Sequence, residues 1–546
     1  MTASARSAPT IARNPILPGF HPDPSITRRG DEYFIATSTF EWFPGVTIHR
    51  SRDLATWEPL GGALDENDGL DLRGVPDSGG IWAPSLSWHD GRFWLLYSIV
   101  WSRSGPYKDI TNRVVTAPEP TGPWSAPIDI GGRGFDASLF HDDDGSTWIV
   151  GLRWDPRPGR ARFAGIEVQQ LDAERGPIGE ATLIHTADHL IEGPNLYRHG
   201  GRYHLMLAQG GTGWNHGISM ARSENLLGPY EVDPQESLLT ARDDQDAPLQ
   251  KAGHGELVQT DDGLYLVHLA SRVTVGADGE RYGITGRETC LQRVTWNEDG
   301  WLRLADDDGM PLTTTRARER VVVPGSAAEV NGAEIRDDFG AGVDGTRYLT
   351  LRRGHREWAD VAARPGWLRL TARHSPTSLF DQAFLAQRVT QPVLRAQTRI
   401  DARPTEPSQS ASLAAWYDTR GYALARVTCD DDGHRIVELI ESDRGAERQV
   451  GDPIGVDDWP DLHLRLEFDG PLLRFAVSAD AGTWHPLGEP LDATKLSDDY
   501  DTLRFTGAFV GLRVDDYRGG GFSADFDYFE VDDHVDPSTA DREADH

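Results

Sequence analysis

The chain is 546 residues long and carries 86 acidic against 54 basic residues, a formal net charge of −32. That length calls for two to four domains at about 100 to 200 residues each, and the acidic excess excludes nucleic acids and anionic membrane surfaces as partners. Lysine occurs only as Lys108, Lys251 and Lys495, against 51 arginines; this Asp-rich, Lys-poor balance suits concentrated salt, where screening removes self-repulsion, so a halophilic surface is expected unless codon composition alone explains the arginines.

In chain order, residues 1–15 contain no apolar run of the 7 to 15 residues typical of a signal peptide, and no later stretch approaches the roughly 18 of a membrane span. A soluble, cytoplasmic protein is expected. "HPDPS" at 21–25 then holds Asp23 between Pro22 and Pro24, which restricts its backbone and favours an extended conformation. Alone, such an aspartate reads as a turn or strand start. Five similar heads follow one another, however: "DPSI" at Asp23, "APSL" at Ala83, "DASL" at Asp136, "EGPNL" at Glu192 and "HGEL" at His254, spaced 60, 53, 56 and 62 residues apart. Each precedes a Gly-containing turn and an aromatic-rich strand: "GDEYFIATS", "DGRFWLLYS", "DGSTWIVGL", "GGRYHLMLA" and "DGLYLVHLA". The period fits four short strands plus loops, so residues 12–322 are expected to form a five-bladed β-propeller whose first strands line a central channel. Cys290 and Cys429 are too few for a disulfide framework and are expected to be reduced core residues. From about residue 335 to 533, alternating strands such as "GWLRLTA", "SLAAWYD" and "LHLRLEF" predict a β-sandwich, making the whole chain all-β. Residues 534–546 are polar and expected to be a disordered tail.

In a propeller the five heads point at one axis, which brings the carboxyls of Asp23, Asp136 and Glu192 together. Converging acids destabilise a fold unless something uses them, and paired carboxylates are what glycosidic-bond cleavage requires. Calcium is the competing use of an oxygen cluster, but no Asp-x-Asp-x-Asp-Gly loop with a distant Glu is present, and His254 is a poor ligand for a hard cation. No cofactor is required on this account, while a calcium ion on the axis near His254 stays open without being indicated. An inverting hydrolase needs one ionised and one protonated carboxyl about 6.5 to 9.5 Å apart. A third negative charge beside the acid raises its pKa.

The segments "NPILPGFHPDPSI", "YFIATSTFEWFPGVTIHRSRDL", "GGIWAPSL", "FDASLF", "IEGPNLY", "KAGHGELVQ" and "GRETCLQRV", followed by "RPGWLRL" and "FTGAFVGL", make the chain similar over nearly its whole length to the glycoside hydrolase family 43 β-xylosidases. The resemblance implies an inverting, exo-acting β-1,4-xylosidase with xylo-oligosaccharide substrates, in which Asp23 is general base, Asp136 pKa modulator and Glu192 general acid. It also implies that Phe40 and Trp82 line the subsite for the non-reducing sugar. Arg287 supplies a compensating charge and donors to hydroxyls, and His254 is a neutral hydroxyl partner or shields a water or ion. From the sandwich, Phe505 of "FTGAF" closes the pocket, with Phe509 as the alternative, and the assembly is a dimer or tetramer. The nearest rival is α-L-arabinofuranosidase or a bifunctional enzyme. The sucrose and fructan hydrolases share the architecture, but no "WMNDPNG" signature occurs here; a non-catalytic carbohydrate-binding protein would keep the aromatics without needing three acids.

Overall fold

The computed structural model describes residues 10–324 and 336–535; the tail expected over 534–546 lies, from residue 536 on, outside the described residues, as does the expected sandwich start at 335. Five antiparallel sheets follow one another along the first segment. Their innermost strands are Ser25–Arg29, Ser85–His89, Ser138–His141, Ile191–His199 and Gln250–Gln259. The aromatic-rich hairpin partners are Glu32–Thr37, Arg92–Val100, Thr147–Trp154, Arg202–Gln209 and Leu264–Ser271. In the second blade a short piece, Gly80–Ile81, pairs with the same partner strand ahead of Ser85–His89. Every sheet takes its strands from one contiguous stretch, so the ring is not closed within a blade. A separate ribbon of Thr10–Arg13 and Arg320–Val323 ties the start of the propeller to its end, helped by Asn14, whose side-chain amide donates to Leu291 O and Arg318 O at 2.7 Å each.

A second closure runs through the channel. Two residues after each head, or three after Glu192, stand Ser25, Ser85, Ser138, Asn195 and Glu256, and each reaches the next blade's inner backbone. Ser25 Oγ accepts from Leu86 N at 2.8 Å, Ser85 Oγ from Leu139 N at 3.3 Å, and Ser138 Oγ donates to Pro194 O at 2.6 Å. Asn195 Nδ2 donates to Gly255 O at 3.2 Å, and Glu256 Oε2 accepts from Ile26 N at 2.8 Å, which joins blade five to blade one. The ring also fixes the register of the heads. Two residues before each ring member come Asp23, Ala83, Asp136, Gly193 and His254, so Glu192 lies one position ahead of the slot the other heads occupy. Asp23 differs from expectation in another way: its φ is 53°, left-handed and not extended, and Asp136 (56°), Gly193 (52°) and His254 (40°) share that hand. Non-glycine residues held there cost about 1 to 3 kcal/mol each and cluster at working sites.

The second segment is a sandwich of a nine-stranded and a seven-stranded antiparallel sheet. Leu394, Leu464, Leu466, Leu413, Val427 and Leu512 fill the space between them. The inner strands of the seven-stranded sheet, Gln409–Asp418 and Phe509–Asp516 among them, are buried on both faces, which is why "ASLAAWYD" reads as almost continuously apolar. Ala411, Leu413 and Ala415 face the sandwich interior, whereas Ala414 and Trp416, with Phe384 and Phe509, pack on Phe20, Trp42 and Phe40 of the propeller. Phe509 is fully buried and stacks on Trp42 with ring centroids 3.7 Å apart; burial of such a side chain stabilises by about 1.5 to 3 kcal/mol. Backbone pairing of Thr350–Leu351 with Trp42–Phe43 continues the join. Both cysteines are buried and free.

Candidate active site

The mouth of the propeller channel and the sandwich loop at 503–505 enclose a cavity of about 340 Å³. Its wall contains every site residue expected from the sequence except the alternative Phe509: Asp23, Asp136, Glu192, Phe40, Trp82, His254, Arg287 and Phe505. Phe509 is four residues further along, in the contact between the domains, so Phe505 is the aromatic that reaches the cavity.

Asp23 is held at both oxygens. Arg287 Nη1 donates to Oδ1 at 2.7 Å and Ser38 Oγ to Oδ2 at 2.7 Å. Burial pushes its pKa up, but Arg287, His254 and the Ser38 hydrogen bond outweigh burial and hold it below the ordinary carboxylate value. Asp136 and Glu192 behave oppositely. Burial raises Asp136 well above its usual range, reinforced by Glu192 and Asp23. Burial and then Asp23 push Glu192 up to about 7, against the pull of Arg287 and Lys108. Two interacting acids in one confined pocket cannot both ionise cheaply, so this pair holds a proton near neutrality while Asp23 stays charged. The pocket thus contains a fixed carboxylate and a proton-bearing pair, the two protonation states that acid–base cleavage of an acetal needs.

His254 is neutral, its pKa lowered by burial despite the raising influence of Asp23. The sequence around Glu192 makes room for it: a Cβ on Gly193 would stand 2.8 Å from His254 Cε1. Arg287 also spans the domains, its Nη2 donating to Phe505 O at 2.9 Å. Phe505 N in turn donates to Ser78 Oγ at 3.1 Å, and Ser78 O accepts from Trp82 Nε1 at 3.1 Å. Ser78 N donates to Glu41 Oε2 at 2.9 Å, so one buried serine sets both Phe505 and Trp82. The loop comes this close because Gly507 faces Gly286; a Cβ on either would stand 2.7 Å from a backbone oxygen of the other's loop. Phe40, Trp82 and Phe505 form a three-sided aromatic wall, with centroids 5.9 to 6.2 Å apart.

Sequence reasoning missed the other wall. Lys108 Nζ lies 5.3, 5.8 and 4.9 Å from the ring centres of Trp82, Phe135 and Trp154, and donates to Arg103 O at 2.6 Å. Phe163, Leu190, Thr212 and Leu503 complete that side. A signal for Phe135 was present: it directly precedes Asp136, as Trp82 directly precedes Ala83. For Lys108, rarity was the signal. Among the described residues the one group with the spacing of a metal site is Asp430, Asp432 and His434. These lie in a hairpin turn of the sandwich, where Asp430 Oδ1 already accepts from the N–H groups of Asp432 and His434 at 3.0 and 2.8 Å.

Comparison with known proteins agrees with the two-domain fold. Residues 12–302 match the model of glycosyl hydrolases family 43, and residues 336–532 match the β-xylosidase C-terminal concanavalin A-like domain. The chain is 41% identical over 532 residues to the xylosidase/arabinosidase 43B of Humicola insolens, covering 95% of this chain and 97% of that protein. It is 37% identical over 543 residues to a xylan 1,3-β-xylosidase of a Vibrio species, covering 96% and 100%. The crystal structure of xylan β-1,4-xylosidase from Bacillus halodurans C-125 superimposes with a TM-score of 0.90 at 40% identity, covering 96% of this chain and all of that one. With its propeller, its sandwich and three acids in one enclosed pocket, the chain belongs to glycoside hydrolase family 43.

Proposed function

We propose that the protein is an inverting, exo-acting β-1,4-xylosidase that removes single xylose units from the non-reducing ends of xylo-oligosaccharides. The observation that carries this is the enclosure of Asp23, Asp136 and Glu192 in a cavity whose aromatic wall includes Phe505 from the second domain. Asp23, charged and fixed by Arg287 and Ser38, acts as general base and takes a proton from the water that attacks the anomeric carbon. Glu192 donates its proton to the departing glycosidic oxygen, and Asp136 orients it and keeps its pKa high. One displacement with the two groups on opposite faces of the sugar inverts the anomeric centre. A free pentose face stacks on Phe40, Trp82 and Phe505, while Arg287 and His254 address its hydroxyls. The chemistry so proposed requires no cofactor, and a calcium ion on the axis near His254 stays open.

A relative named for both xylosidase and arabinosidase activity at 41% identity supports a bifunctional enzyme as the second reading. Steady-state kinetics on β-1,4-xylobiose, β-1,3-xylobiose and p-nitrophenyl α-L-arabinofuranoside separate the readings. The proposal expects the largest kcat/KM on the β-1,4 disaccharide, and a larger value on either competitor overturns the assignment of substrate. We further place the enzyme in the cytoplasm as a dimer or tetramer. Light scattering checks the assembly, and a monomer at working concentration contradicts it.

A further inference from the structure

Away from the active site, a second cavity of about 270 Å³ opens between the first blade and the sandwich. Its lining combines His21 and His49 of the propeller with Arg388 of the sandwich, and none of its lining residues is Asp or Glu. In a chain with 86 acids that composition is unusual. Arg388 Nε donates to Phe20 O at 2.7 Å, yet Arg388 Nη2 is buried without a hydrogen-bond partner. The Nδ1 atoms of His21 and His49 are likewise buried and unpartnered, on side chains that are each only 7% exposed. Their rings meet edge to face with centroids 4.8 Å apart. The guanidinium can only donate, and a buried cation without a counter-charge is costly. Its own pKa shows this, lowered by burial to about 9 with no carboxylate acting on it. Burial and the nearby Arg388 hold both imidazoles neutral, His49 at about 3, so the pocket offers the buried charge of Arg388, with Arg347 also in its lining, and N–H donors.

We propose that this cavity is a binding site for a small inorganic anion, held between Arg388 Nη2 and the His21 and His49 rings, and that its occupant joins the sandwich to the irregular segment leading into Asp23. Anything that binds the docked form alone stabilises it by mass action, so the occupant strengthens the contact between the domains. Bromide is the probe for a halide and phosphate the probe for an oxyanion. Crystals soaked in sodium bromide are expected to give an anomalous peak within hydrogen-bond distance of Arg388 Nη2. Phosphate that abolishes the peak assigns the site to oxyanions and a peak that persists assigns it to halides; either supports the proposal. In solution, Tm is expected to rise by a few degrees as bromide replaces gluconate at constant ionic strength, and Arg388→Gln is expected to remove that rise while leaving kcat on xylobiose unchanged. Water alone at the site, or an equal rise in Arg388→Gln, overturns the proposal. If the variant does not fold, the bromide signal in the wild-type crystal decides alone.

Discussion

Acid and base are distinguished by what surrounds each carboxyl. Removal of a general acid or base costs about 10² to 10⁴ in rate, so Asp23→Ala and Glu192→Ala are both expected to lose most of kcat on xylobiose. With p-nitrophenyl β-xyloside, whose leaving group needs little protonation, Glu192→Ala is expected to recover much of its rate and Asp23→Ala none; equal losses on both substrates would refute the acid assignment. The raised pKa also has a cost in stability. Glu192 ordinarily titrates at 4.5 but at about 7 in the fold, so the fold loses stability as pH rises from the first value through the second and stays lower above it. Glu192→Gln, which cannot ionise, is therefore expected to melt higher than wild type at pH 8 and equally at pH 4, and thermal scans showing no difference at pH 8 would deny the strained carboxyl. Asp23, Asp136 and Glu192 were legible because their heads repeat along the chain. The one-residue offset of Glu192 was not, because it depends on Gly193 taking the left-handed slot beside His254. The three lysines, whose scarcity reads as a surface property, each make specific contacts: Lys108 lines the pocket, Lys251 pairs with Asp498 and Asp499 at 3.1 and 2.6 Å, and Lys495 with Glu441 at 2.8 Å.

Strands and loops carry these residues through two devices, the ring of hydrogen bonds in the channel and the glycine contact under the sandwich loop. Glu256 is the only acid in the ring, and burial pushes it up to about 7 against hydrogen bonds from Ser25 and Ile26. Glu256→Ala removes the link between blades five and one and leaves Ile26 N unpaired, a loss of about 1 to 3 kcal/mol; Glu256→Gln keeps an acceptor and is expected to restore most of the loss. Urea denaturation compares them, and an Ala variant as stable as wild type would mean the ring is closed by the Thr10–Arg13 ribbon alone. Gly507→Val is expected to lift Phe505 away from Arg287 and raise KM for xylobiose, with a smaller effect on kcat. The hairpins were legible because each has an apolar run after a Gly turn, whereas the ring was not: its members look like strand residues until the blades stand side by side. The left-handed φ of Asp23 contradicts the rule for a residue before proline, a local preference that Arg287, Ser38 and the packed channel together override.

At the scale of the molecule, propeller and sandwich form one enzyme, because the site needs a backbone carbonyl and an aromatic ring from the second domain. That dependence was visible only as the "FTGAF" resemblance; the sheet face covered by Trp42 and Phe20 follows from apolar residues on both sides of its strands. The net charge of −32 belongs to the same scale. Screening shrinks the range of repulsion from about 10 Å at 0.1 M salt to about 3 Å at 1 M, so Tm is expected to rise over that interval in sodium chloride, and a flat or falling curve would leave codon composition as the source of the arginines. The central claim, a single displacement at the non-reducing end in this enclosed pocket, is tested most directly by proton NMR of xylobiose hydrolysis in its first minutes. The account predicts that the xylose newly released from the non-reducing end appears as the α-anomer before mutarotation, and its appearance as the β-anomer would contradict it.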